Sequence, residues 1–131
     1  MYSLDFILSQ VHPSKPDYYL IELNQAAVEG LAGVDKVILD YNPRIPGLYV
    51  VRPRYRVPKR ETWKDIGAVL RDKSGDCKDL TAWRLAELWR MGVNARAESI
   101  VERIGPRLQF HTYIRYADGR VEDPSRELGM R

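Results

Sequence analysis

Gly75-Asp76-Cys77-Lys78-Asp79-Leu80-Thr81-Ala82-Trp83-Arg84-Leu85-Ala86-Glu87-Leu88-Trp89-Arg90-Met91-Gly92 is the stretch on which the fold turns. Leu80, Leu85, Leu88 and Trp89 recur with Ala82 and Ala86 at helical spacing, which predicts a helix from Cys77 to Met91 stopped by Gly92. Asp76, or Ser74, is placed to cap its free amides, and Asp79 is an acid in the first turn, where the helix dipole favours one. Cys77 lies one turn before Leu80 and Thr81, so it points toward the rest of the protein.

Downstream, the pattern changes to β. Val93–Arg103, Leu108–Tyr116 and Arg120–Glu122 read as strands, separated by Gly105-Pro106 and Asp118-Gly119. Upstream, Lys73-Ser74-Gly75 reads as a turn, and Thr62 as the cap of a short helix reaching about Arg71. Prolines at 43, 46, 53 and 58 make the preceding stretch an extended arm, with a short strand expected at Leu48–Val51. Val34–Tyr41 reads as a strand through Val37, Ile38 and Leu39. Asp17 is placed to cap a helix to about Leu31, with Gly33 as its stop. Tyr2–Val11 fits either period, and His12-Pro13-Ser14-Lys15-Pro16 ends it. The expected class is α+β, in one domain over residues 1–131: a helical and extended region over 1–60, then a core over 62–125.

Of the 131 residues, 44% are hydrophobic and 30% charged, which describes a globular chain and not a disordered one. No run approaches the roughly 18 apolar residues of a membrane span. The first residues lack a basic region ahead of an apolar one, so no secretory signal is read and the expected location is cytoplasmic. A single cysteine forms no internal disulfide. One cysteine and two separated histidines have no metal-ligand spacing, so neither metal nor cofactor is expected. The net charge of +3 is uneven. Residues 1–40 carry six acids against Lys15 and Lys36. Residues 41–60 carry Arg44, Arg52, Arg54, Arg56, Lys59 and Arg60 and no acid.

Cys77 is where chemistry enters. A lone cysteine is by default a small packed hydrophobe. At a helix N-terminus, however, thiolate is stabilised and unpaired amides can hold an oxyanion. Asp76 and Asp79 oppose the first effect, so a histidine partner is required. His12, in a proline-flanked turn, reads as a surface residue. His111 lies within the strand Phe110-His111-Thr112-Tyr113, where it is either a half-buried structural histidine or the partner. Asp123 is either a turn acid before Pro124 or the residue that orients His111. The hairpin loop decides between these. A two-residue Asp118-Gly119 loop puts Asp123 opposite Ile114, on the face away from His111. A three-residue Ala117-Asp118-Gly119 loop with Gly119 left-handed puts it opposite Tyr113, diagonal to His111 on the same face. The sequence permits both. The Cys77 amide is one oxyanion donor. Trp63 is the candidate for a second, set against its reading as a core tryptophan.

The Gly-Asp-Cys-Lys-Asp-Leu run, the helix leading to Met91-Gly92-Val93-Asn94-Ala95-Arg96, His111 on a strand, and Asp118-Gly119 followed by Asp123-Pro124 together resemble the transglutaminase-like superfamily. The resemblance spans residues 62–125. It implies a papain-like fold with a Cys77–His111–Asp123 triad, acting through a thioester as a cysteine peptidase, amidase or transglutaminase on a protein or peptide amide. Small stand-alone members are similar to reading frames of tailed bacteriophages. Thr112 after the histidine and the short chain depart from the pattern and bear on the substrate. Two other functions stay open: a catalytically silent structural or assembly part, as in a virion, and a nucleic-acid-binding module using Arg44–Arg60 with Tyr41, Tyr49 and Tyr55. The basic arm could also pair with the acidic first 40 residues, or recruit an acidic partner.

Overall fold

The computed structural model describes residues 17–130. The readings of Tyr2–Val11 and of His12 lie outside them. In chain order the elements are α1 (Asp17–Tyr41), α2 (Leu48–Val51), β1 (Arg54–Tyr55), α3 (Ile66–Asp72), β2 (Ser74–Gly75) and α4 (Cys77–Arg90). There follow β3 (Ala95–Ile104), β4 (Arg107–Tyr116), β5 (Val121–Glu122) and α5 (Pro124–Glu127). The class is α+β. Antiparallel strands in the order β3-β4-β5 form the main sheet, and β1 pairs parallel with β2 in a second one.

Helix α4 runs through the middle of the protein. One side of it packs with Val28, Leu31 and Ala32 of α1 and Ala95, Ala97 and Ile114 of the sheet. Its other side packs with Leu39, Leu48, Ile66, Val69 and Leu128 around the fully buried Trp83. Each buried leucine of α4 stabilises the fold by roughly 2 kcal/mol relative to exposure.

Three sequence expectations are corrected here. Val34–Tyr41 is not a strand but the last part of α1, and Gly33 does not stop that helix. Leu20, Asn24, Val28, Leu31, Ala32, Asp35 and Leu39 are its buried residues. Their spacing of three and four is helical, and two polar members conceal the stripe in the sequence. Packing of that stripe overrides the β preference of Val37-Ile38-Leu39 and the roughly 1 kcal/mol a mid-helix glycine costs. Leu48–Val51 is likewise a helical turn. Glu87, reaching across from α4, accepts the Leu48 amide at 2.8 Å. A free amide at the start of a turn is thereby satisfied from outside the segment. Third, Asp65 and not Thr62 caps α3, accepting from the Ala68 amide at 2.9 Å.

Glu87 also accepts from the Trp83 indole at 3.0 Å and from Arg84 at 3.1 Å. Arg84 in turn holds Glu122 at 2.7 Å, and the Tyr49 and Tyr116 hydroxyls donate to the same carboxylate. This network ties α2, α4 and β5 together. Replacing Glu87 by alanine is expected to cost about 2–3 kcal/mol in urea unfolding, because a buried amide and an indole lose their acceptor. A loss below about 0.5 kcal/mol would mean that the network contributes nothing net.

Candidate functional site

Asp76 caps α4, and the cap is reciprocal: its side chain accepts from the Asp79 amide, and Asp79 accepts from the Asp76 amide at 3.1 Å. Gly75 suits the close approach. A Cβ there would lie 3.1 Å from that of Asp79 and 3.3 Å from Leu80 Cδ2. Chain entry and helix start are therefore tightly determined, and with them the position of Cys77.

The edge of β4 supplies the other wall. Tyr116 donates its amide to the Arg120 carbonyl of the hairpin, so alternation turns the backbone groups of Ile114, Thr112 and Phe110 toward the same edge. Strand β5 covers that edge only opposite Ile114 and Arg115. Beyond it the side chains of α4 take over. Thr81 donates to the Thr112 carbonyl at 3.1 Å, and Cys77 Sγ to the Phe110 carbonyl at 3.6 Å. The thiol thus lies against the strand backbone on both sides of His111. Behind it, Asn24 of α1 donates to Ser99 at 2.7 Å and Thr112 at 3.0 Å, fully inside the protein.

His111 and Asp123 meet. Ile114 stands opposite Glu122 and Arg115 opposite Val121, the register of the three-residue loop, with Gly119 at φ 94°. One step further, Asp123 comes beside the His111–Tyr113 face, and its Oδ2 lies 2.6 Å from His111 Nε2. Asp123 is also the N-cap of α5, accepting from the Arg126 amide at 3.3 Å, and Arg126 Nε lies 3.2 Å from its Oδ2. Pro124, without an amide proton, suits the first position of that helix. With Nε2 engaged, Nδ1 is the ring nitrogen left to take a proton from a thiol.

Cys77 does not rest as a thiolate. Burial, followed by the Asp76 carboxylate, pushes its pKa up to about 11, against the Thr112 backbone and Lys78, which act the other way. Its side-chain hydrogen bond goes to the Phe110 carbonyl, not to His111. Trp63 packs its ring against the core that Val28, Leu31 and Ala82 belong to, with Lys78 Nζ 5.2 Å from the ring centre. Its indole N–H is buried without a partner among the described residues.

No family model, no curated protein and no solved structure matches this chain.

Sequence reasoning missed Tyr55 as a site residue. It pairs with Gly75 in the β1–β2 ladder, two residues from Cys77. Its ring packs partly buried against the core around Trp83, burial raises its hydroxyl's pKa, and the charges of Cys77, Asp76 and Asp123 add to this. The contact joins segments 20 residues apart, and no spacing rule reports it. Among the described residues, no group of three His, Cys, Asp or Glu is arranged to hold a metal, and no helix is long and apolar enough to cross a membrane.

Proposed function

We propose that the protein is a cysteine-dependent acyl-transfer enzyme of transglutaminase-like, papain-like architecture, acting on an amide through Cys77, His111 and Asp123. The single observation that carries this reading is the 2.6 Å His111–Asp123 contact beside the strand edge occupied by Cys77. Cys77 Sγ attacks the carbonyl carbon while its proton passes to His111 Nδ1. Because the resting thiol is neutral, proton transfer accompanies attack. The Cys77 amide, at the start of α4 and free of helical bonds, donates to the oxyanion. Collapse leaves a thioester on Cys77, and the imidazolium returns its proton to the departing amine. Water or a second amine, deprotonated by His111, then attacks the thioester and regenerates the thiol. Asp123 supports the imidazolium throughout.

An activated ester tests the reading without knowledge of the natural substrate. With p-nitrophenyl acetate, intact-mass measurement is expected to show one acetyl group, located on Cys77 and removed by hydroxylamine. Formation at the same rate in wild type and in His111→Ala would sink the proposal. One observation favours a second reading, a silent structural member of the same architecture: the thiol donates to a backbone carbonyl in place of the imidazole. That reading expects no acetyl transfer at all.

A further inference from the structure

Among the described residues, the charge of the basic arm is not neutralised. Arg52, Arg54, Arg56, Lys59 and Arg60 are all exposed. None of them forms an ion pair with an acid among the described residues; Arg52 donates to the Glu127 carbonyl at 3.1 Å. Three acids of α1 are engaged elsewhere. Asp35 is buried, Asp40 is held by Lys36 and Arg90, and Glu29 lies 3.6 Å from Arg96. Acids at the border of the arm are engaged as well: Asp123 by His111 and Arg126, Glu61 by Lys78 at 3.9 Å.

The part of the arm around Arg54 and Arg56 is held beside the segment that leads into Cys77. Arg54 donates its amide to the Lys73 carbonyl at 3.0 Å and Arg56 to the Gly75 carbonyl at 2.9 Å. Strand β1 therefore runs alongside the two residues that lead into the Asp76 cap. Tyr55 is partly buried against the core around Trp83, and alternation turns the exposed Arg54 and Arg56 outward on either side of it. Exposed cations held beside the segment that leads into a reactive residue attract an anionic ligand toward it.

We infer that the exposed Arg52–Arg60 face docks the acidic flank of a peptide or protein segment whose amide is delivered to Cys77. This rests on the acyl-transfer reading and names its substrate class. A peptide fits better than a single-stranded nucleic acid because the arm offers no stacking platform. Tyr49 is bonded to Glu122 and Tyr55 is turned inward, while the exposed Tyr41 belongs to α1.

Two chloroacetyl peptides of identical core, one flanked by glutamates and one by lysines, provide the test through their rates of alkylation of Cys77. The acid-flanked peptide is expected to react about tenfold faster at low salt, with the ratio approaching one near ~0.5 M NaCl. The exposed double variant R54Q/R56Q is expected to lose most of the preference, slowing with the acid-flanked peptide and speeding modestly with the lysine-flanked one. Equal rates for the two peptides, or a preference unchanged in R54Q/R56Q, would overturn the inference. A labelled oligothymidylate that binds more tightly than the acidic peptide at equal salt would overturn it in favour of nucleic acid. The two readings fail separately. Histidine-dependent acetylation without a flank preference removes the docking face alone, whereas a flank preference without histidine-dependent acetylation removes the acyl-transfer reading and retains the docking face.

Discussion

Asp123→Asn is expected to slow acetylation of Cys77 by about two to four orders of magnitude while leaving the fold intact. Asparagine caps a helix as well as aspartate does, so α5 keeps the acceptor for the Arg126 amide. What changes is the partner of His111 Nε2. A carboxylate 2.6 Å away accepts a hydrogen bond from Nε2–H, leaving Nδ1 as a lone pair for the thiol. An amide can instead donate to Nε2, which places the ring proton on Nδ1, where it opposes transfer from Cys77. It also removes the negative charge that supports the imidazolium. His111→Ala is expected to lose at least as much. Acetylation kinetics by intact mass, with thermal unfolding as the control, measure both. Asp123→Asn at wild-type rate with an unchanged melting temperature would show that Asp123 is only the cap of α5.

A second large effect concerns pH. Asp35 is fully buried in α1: Oδ1 accepts the Ile66 amide at 2.8 Å, and Oδ2 has no partner among the described residues. Burial pushes its pKa from 3.8 up to about 8; the Ile66 amide opposes, and the charges of Asp65 and Asp79 reinforce the rise. Asp79 is pushed up to about 7, by burial first and then by Asp76, against Lys78 and the amides of Lys64 and Asp76. Both groups hold protons in the folded state at pH values where the unfolded chain has released them. Their contribution is complete below about pH 4 and is lost as the pH rises from about 4 to 8. Carboxylates with lowered values, such as Asp72 at about 2, act in the opposite sense, losing their contribution only as the pH falls through their folded value. Stability is therefore expected to decline from pH 5 to 8.5 in urea titrations. Asp35→Asn keeps an acceptor for Ile66 and does not ionise, so it is expected to flatten that decline and to gain about 1–3 kcal/mol near pH 8. Parallel pH profiles for the variant and wild type would refute the assignment to Asp35.

The fold was partly legible, for reasons specific to each segment. Helix α4 announced itself because the Asp76–Asp79 cap, the apolar stripe and Gly92 are all local. The two long strands were legible from alternation and from the turns that separate them. Helix α1 was not legible beyond Leu31, because its buried stripe includes Asn24 and Asp35, and neither looks like a core residue until its partner is seen. The Leu48–Val51 turn was hidden for a similar reason: its cap comes from Glu87, 39 residues away. For the candidate site, the residues Cys77, His111 and Asp123 could be chosen from the sequence, but not their arrangement.

Composition, the helix headed by Cys77 and the β-rich tail followed from the sequence alone, because capping, periodicity and turn chemistry act between residues within a few positions. The tertiary structure decided the rest. It chose the three-residue hairpin loop that brings Asp123 to His111, where a shift of one residue would have placed them on opposite faces of the sheet. It also set Cys77 against the uncovered edge of β4 and ran the basic arm beside it. Those contacts satisfy backbone groups and charges that neighbouring residues leave open, and only the folded chain shows which distant side chain answers each one.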